Sequence, residues 1–128
     1  MNDHSLPQGT SVLCEAVPDS HVISVGFWFP CGSRDETESQ AGFSHFIEHM
    51  LFKGTSKRDA YSIACEINRF GGSINAFTER EVIAVHTSVP KEYFPHIFEI
   101  LCDICFNSVS PDEEIHNEQN VVLNEISS

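Results

Sequence analysis

Two histidines and a glutamate lie within about one helical turn of each other between Gly42 and Phe52. His45, Glu48 and His49 occupy positions i, i+3 and i+4, so a helix would present them on one face. The rest of the stretch is almost entirely apolar, which predicts a buried helix. Ionisable groups that lose water need partners, and a divalent metal suits two neutral imidazoles roughly 6 Å apart along a helix axis. The stretch therefore predicts a metal site.

A third ligand must come from elsewhere in the chain, because a catalytic zinc site usually has three protein ligands and one open position. Glu118 and Glu125 lie seven positions apart on a predicted C-terminal helix, hence on one face, and either could supply it. Zinc lowers the pKa of a bound water, and a nearby carboxylate can accept the proton as that water attacks a substrate. The alternative is a pair of core histidines hydrogen-bonded to a glutamate, since the HxxEH pattern also arises by chance.

The composition limits the partners and the location of the chain. With 7 basic and 19 acidic residues the net charge is -12, which argues against nucleic acid and membranes as partners. We expect a cytoplasmic protein, because the chain shows no signal peptide, no apolar run of about 20 residues and no disulfide framework among its cysteines. Cys102 and Cys105 form a CxxC pattern inside an apolar helical segment, so burial explains them better than redox or zinc chemistry.

The hydrophobic patterns predict one α+β domain over residues 1–128, with antiparallel strands in two hairpins packed against helices. Trp28 alternates away from the apolar face of its strand and is expected beneath a helix. The last helix is still periodic where the sequence stops, which indicates part of a larger fold. The predicted hairpins pair residues 11–17 with 22–29 and residues 73–77 with 82–89. Four helices are predicted in chain order: the first covers residues 42–52, the second is capped by Ser56 or Asp59, the third follows Pro90, and the fourth covers residues 110–128.

These residues resemble a known family. His45-Phe-Ile-Glu48-His49 is the inverted zinc motif typical of the inverzincins. The surrounding stretch, from Gly42 to Thr55, closely resembles the pitrilysin family of zinc metallopeptidases, which includes insulin-degrading enzyme and mitochondrial processing peptidase. Three further stretches resemble the same family: Gly26 to Arg34, Gly71 to Thr78, and Glu118 to Glu125.

The resemblance implies one Zn²⁺ per chain, with His45, His49 and Glu125 as its ligands. In the family the third ligand follows the second histidine by about 76 positions, and Glu125 follows His49 by 76. Glu48 would be the general base that later passes its proton to the leaving amine. Glu118 would support the site by orienting a ligand histidine, unless it belongs to a solvated helix face.

The resemblance also implies where a substrate would bind. Asn75 and Ala76 match a strand edge on which a peptide adds as an extra strand through main-chain hydrogen bonds. A structural explanation is equally open for both, because an asparagine near a turn needs no substrate to account for it.

The function implied is that of a zinc-dependent metalloendopeptidase acting on extended peptides or unfolded polypeptides. The resemblance covers only about the first half of the first domain of such enzymes, so the fold is expected to be incomplete. We expect the chain to bind zinc but to cleave peptides less well than a full-length relative, and equal activity of the two would contradict this. The alternative is a non-catalytic or truncated family member that acts as an interaction subunit, partnered by the rest of the fold or by a second family chain.

Overall fold

A computed structural model describes residues 2–127. It confirms an α+β fold of antiparallel strands and four helices. Two one-turn 3₁₀ helices, Ser33–Asp35 and Glu38–Gln40, lie between the third strand and the first helix. The strands are β1 Asn2–Ser5, β2 Ser11–Cys14, β3 Val22–Phe29, β4 Ser73–Thr78 and β5 Ile83–Pro90; the helices are α1 Phe43–Met50, α2 Ala60–Arg69, α3 Phe94–Phe106 and α4 Asp112–Ser127.

The main sheet has the strand order β3-β5-β4 and is antiparallel throughout. The predicted second hairpin is confirmed, since β4 and β5 pair directly and the turn is closed by a hydrogen bond from Glu79 N to Val82 O of 2.8 Å. Because β5 is central, its side chains are mostly buried. Strand β4 therefore forms one edge of this sheet, with β5 on one side only.

The predicted first hairpin is wrong. Strand β2 pairs with β1 in a separate two-stranded sheet, whereas β3 pairs along its whole length with β5. The turn before β3 does form, with Ser20 N donating to Val17 O at 3.0 Å, but β2 already ends at Cys14. The apolar alternation of β3 matches the buried face of β5, whereas β2 has only four residues and is largely exposed.

The core lies where α2 and α3 pack against the sheet. Ile63 of α2, Val89 of β5 and three isoleucines of α3 form a buried cluster. Of the two predicted caps of α2, the structure shows Asp59, whose side chain accepts a hydrogen bond from Ser62 N at 2.8 Å. The predicted helix after Pro90 is α3, and Pro95 lies in its first turn, where proline is favoured.

Two burial predictions are wrong. Phe43 and Ile47 on α1 are 54% and 38% exposed, because α1 packs mainly against α4 and β4 and leaves one side open. Trp28 is 60% exposed. It does point away from Phe27 and Phe29, which contact Phe106 of α3, but it lies over Gly26, where an added Cβ would come within 2.3 Å of the indole ring.

The surroundings of Cys102 and Cys105 support the interpretation that burial, and not redox or zinc chemistry, explains their CxxC pattern. All five are free, and burial raises the pKa of the Cys105 thiol to about 12 and also raises that of Cys102. A thiol with a raised pKa stays protonated at neutral pH and is a poor nucleophile or metal ligand.

Within the described residues, no helix has both the length and the apolar character needed to span a bilayer.

A polar network attaches the segment after α1 to α3. Asp103 of α3 is 3% exposed and accepts hydrogen bonds from Thr55 Oγ1 and Arg58 Nη1, both at 2.7 Å. Arg58 also pairs with Glu66 and Glu99. The network fixes residues 55–58 against the core and so restrains the C-terminal end of α1.

Candidate metal centre

Packing of α1 against α4 brings three predicted ligands together. His45 and His49 lie one turn apart on α1, and their Nε2 atoms are 2.9 Å apart. Glu125 comes from α4, with its Oε2 atom 3.0 Å from Nε2 of His45 and 3.3 Å from Nε2 of His49. Donor atoms about 2.0–2.1 Å from a tetrahedral zinc are roughly 3.3 Å from each other. Two imidazole nitrogens and a carboxylate oxygen at this spacing fit a zinc ion with little movement.

The centre is open to solvent on one side. The side chains of His45 and Glu125 are 38% and 48% exposed, whereas that of His49 is 21% exposed. An ion could therefore enter from this side, and a fourth ligand such as water could approach from it. Of the three predicted ligands, His49 is the least exposed.

Glu118 lies behind His49 and does not belong to a solvated face, since its side chain is only 9% exposed. Its Oε2 atom is 2.9 Å from Nδ1 of His49, and its Oε1 atom is 2.9 Å from Nζ of Lys53. Burial raises the pKa of Glu118, but the hydrogen bonds from Lys53 and His49 outweigh that effect and hold the pKa below its usual value. An ionised carboxylate can only accept hydrogen bonds, so Glu118 favours the tautomer of His49 that carries its proton on Nδ1 and leaves the Nε2 lone pair for an ion.

Glu48 lies beside a cavity of about 600 Å³. His45, Ala76 and Thr78 also line this cavity, so α1 forms one side of it and β4 another. The hydroxyl of Thr78 donates a hydrogen bond to Oε2 of Glu48. Asn75 lies on the same edge strand but is exposed and does not line the cavity.

Two main-chain hydrogen bonds, here called the clasp, join the segment after β3 to the turn after β4 that lines the cavity. Ser33 N donates to Glu79 O at 3.2 Å, and Arg34 N donates to Arg80 O at 2.8 Å. Gly32 is required here, because a Cβ at this position would come within 2.2 Å of the Glu79 carbonyl oxygen. Arg34 also forms a salt bridge with Glu81 on the surface.

Sequence reasoning missed three residues that support the centre. Thr78 lies outside the predicted strand 73–77 but ends β4, and Lys53 lies just beyond the end of α1. Glu36, in the loop before α1, accepts hydrogen bonds from Gly42 N at 3.1 Å and Ser44 N at 2.6 Å. Gly42 has φ of 86°, so the chain turns sharply there and brings this distant carboxylate to the start of α1.

We expect Glu36→Gln to destabilise the start of α1. The backbone hydrogen bond from Ser44 is the largest effect on the pKa of Glu36 and lowers it. A carboxyl group whose pKa is lower in the folded state stabilises the fold above its unfolded-state pKa, and this contribution is lost as the pH falls through the folded-state pKa. The free energy of unfolding at pH 7 should therefore fall by about 1 kcal/mol, and the difference from wild type should shrink in acid.

Urea unfolding of the two proteins across the acid range measures this difference. Glu38→Gln is the control, since Glu38 lies in the same loop and has no hydrogen bond to α1 among the described contacts. An equal loss of stability in both variants would contradict the proposed capping role of Glu36.

Comparison with known proteins places the chain in a family. Residues 11–128 match the family model described as Insulinase (Peptidase family M16). An uncharacterized zinc protease of Bacillus subtilis, YmxG, is 37% identical over 123 residues, covering 96% of this chain and 30% of the relative. The beta subunit of the mitochondrial-processing peptidase of Dictyostelium discoideum is 46% identical over 105 residues, covering 81% of this chain and 22% of the relative.

A solved structure agrees with these sequence relationships. The crystal structure of a protease from Helicobacter pylori matches with a TM-score of 0.88 and 26% identity, covering 97% of this chain and 30% of that chain. The chain thus spans less than a third of the length of these similar proteins. The chain belongs to the insulinase family of peptidases, family M16.

Proposed function

We propose that this chain carries the zinc centre of a metalloendopeptidase that hydrolyses peptide bonds in extended peptides or unfolded polypeptides. The observation that carries the proposal is the triangle formed by Nε2 of His45, Nε2 of His49 and Oε2 of Glu125, with edges of 2.9 to 3.3 Å. A potential general base, Glu48, lies on the same helix. Zinc proteases among the relatives support the choice of metal.

Glu48 would act as the proton carrier. A zinc ion bound at the centre would supply Lewis-acid activation of a water molecule. Thr78 donates to Oε2 of Glu48, so we assign proton transfer to the other oxygen, Oε1. Glu48 would accept the proton of the attacking water there and later pass it to the amine of the leaving group. Glu118 would keep the tautomer of His49 in which Nε2 faces the centre.

The edge of β4 is the proposed site for an extended substrate. This strand is paired on one side by β5, and a peptide could add to the other edge through main-chain hydrogen bonds. Ala76 lies on the wall of the cavity that also contains Glu48. Its small side chain would let the substrate backbone approach closely, and Asn75, which is exposed on the same strand, would contact the substrate outside the cavity.

We further propose that the working enzyme includes the rest of the fold or a second chain of the family, in line with the length of the relatives. The net charge of -12 supports the absence of nucleic acid and anionic membranes among its partners, and the five free cysteines suit a reducing, cytoplasmic location. The competing candidate, a non-catalytic interaction subunit, is favoured by exposed apolar side chains such as those of Trp28 and Leu123, each 60% exposed.

Metal analysis combined with a cleavage assay separates these candidates. We expect the purified chain to retain about one zinc ion after incubation with zinc and desalting. The zinc form should cleave an unfolded polypeptide slowly, and treatment with a chelator should remove both the metal and the cleavage. Stoichiometric zinc without any cleavage, even after a second chain of the family is added, would favour the interaction subunit, and a chain that retains no zinc would contradict the metallopeptidase proposal.

A further inference from the structure

We propose that Lys53 is a positioning residue of the metal centre, which holds the Glu118 carboxylate in the orientation that directs Nε2 of His49 toward the ion. This inference rests on the proposed function, because it concerns the same centre. Lys53 lies four positions after His49, just beyond the end of α1. Its ammonium group contacts Glu118, and through that carboxylate it acts on His49.

Each oxygen of Glu118 has a different partner. Oε1 is 2.9 Å from Nζ of Lys53, and Oε2 is 2.9 Å from Nδ1 of His49. A carboxylate bound through one oxygen can still rotate about its terminal bond, but a second partner on the other oxygen fixes its plane. The lysine therefore determines which way Oε2 faces, and Oε2 determines how the imidazole of His49 is turned.

Burial makes Lys53 important to this arrangement. The side chain of Glu118 is 9% exposed and that of Lys53 is 32% exposed. A carboxylate buried to this extent needs a compensating charge, because an unpaired charge is strongly unfavourable where water is excluded. Without the ammonium group, Glu118 would gain by turning toward solvent, and His49 would then lose the partner of its Nδ1 atom.

The backbone around Lys53 is held in place by the core. Lys53 N donates to Met50 O at 3.1 Å, and Thr55 N donates to Arg58 O at 2.7 Å. Thr55 is in turn bonded through its hydroxyl to the buried Asp103 of α3. The ammonium group is thus carried by a segment that α3 anchors, which is the rigid support that a positioning residue requires.

The chain offers a matched control lysine. Lys57 lies four residues further on and pairs with Glu99 at 2.7 Å, but the two side chains are 64% and 46% exposed. Exposed pairs of this kind contribute little to stability. Lys57→Met therefore removes the same charge from the same segment without changing the surroundings of Glu118.

Zinc affinity measured by competition with a chelator tests the inference. Lys53→Met should weaken zinc binding by about 10- to 100-fold, the usual cost of losing a partner behind a metal ligand. Lys57→Met should stay within about twofold of wild type, and Lys53→Arg, which keeps the charge, should recover most of the affinity. Should the methionine variant not fold, as judged by thermal unfolding, Lys53→Gln provides the same comparison, with an expected loss of about tenfold.

A second readout does not need the metal. The side-chain ¹⁵N chemical shifts of His49 in the zinc-free protein report which ring nitrogen carries the proton. We expect Nδ1–H in wild type and in Lys57→Met, and a mixture of tautomers in Lys53→Met. Unchanged zinc affinity together with an unchanged His49 spectrum in Lys53→Met would overturn the role of Lys53. Failure of wild type to bind zinc would instead contradict the proposed function, and the His49 spectra would still decide the role of Lys53.

Discussion

Replacing His49 with alanine is expected to abolish stoichiometric zinc binding. The substitution removes one of the two imidazoles of the centre, whose Nε2 atom lies 2.9 Å from Nε2 of His45 and 3.3 Å from Oε2 of Glu125. It also leaves the buried carboxylate of Glu118 without one of its two partners. The loss of affinity should exceed the roughly 100-fold that is typical for loss of a partner outside the ligand set. Metal content after desalting and chelator competition measure it.

His116→Ala is the matched control for this prediction. His116 lies on α4, the helix that carries Glu125, but it is exposed and has no ligand spacing with the motif. Zinc binding by this variant should equal that of wild type. If His49→Ala kept one zinc ion per chain while folded, His49 would not be a ligand.

Glu48→Gln is expected to retain zinc and to lose turnover. Glutamine has nearly the same shape, and its carbonyl oxygen can still accept the hydrogen bond from Thr78 that Glu48 accepts in wild type. It cannot accept a proton as a carboxylate does, so kcat should fall by about 10²- to 10⁴-fold with KM little changed. Because the turnover of wild type is expected to be low, cleavage of a fluorogenic extended peptide is best followed with the enzyme in excess.

Glu79→Gln provides the comparison for this result, because Glu79 is another carboxylate that lines the same cavity. It should reduce turnover far less than Glu48→Gln. Equal turnover in Glu48→Gln and wild type would assign the general base to a different group. Loss of zinc from Glu48→Gln would show that Glu48 takes part in holding the metal.

Features that depend on neighbouring residues could be predicted from the sequence. The cap at Asp59, the proline in the first turn of α3 and the hairpin of β4 and β5 are all encoded within a few positions. The placement of His45 and His49 on one face of α1 could also be predicted, because it depends only on their helical spacing. Their roles as ligands remain predictions.

Features that depend on distant packing could not be predicted in this way. Spacing left Glu118 and Glu125 as equal candidates for the third ligand, and only the resemblance selected Glu125. The structure places Glu125 in the triangle and Glu118 behind His49 because α4 crosses α1 at that level. The prediction that β3 pairs with β2 was wrong for the same reason. Alternation of apolar and polar residues shows that a strand has an apolar face, but it does not show which other strand will pair with it.

The burial of α1 was overestimated because an apolar sequence does not specify how many of its sides will be covered. Phe43 and Ile47 remain exposed where neither α4 nor β4 reaches them. The contacts of Glu36, Lys53 and Thr78 were missed since each joins segments that are distant in the sequence or lie on different elements.

The clasp at Gly32 has a consequence for how this protein can diversify. Its two hydrogen bonds join main-chain atoms of residues 33 and 34 to carbonyl oxygens of residues 79 and 80. The side chains of Glu79 and Arg80 line the cavity but take no part in those bonds. Substitutions at positions 79 and 80 would therefore change the side chains that line the cavity, and with them the preference for a bound peptide, while the main-chain hydrogen bonds beside Glu48 are kept. Position 32 does not tolerate such substitutions, because the Cβ of any other residue would collide with the Glu79 carbonyl oxygen.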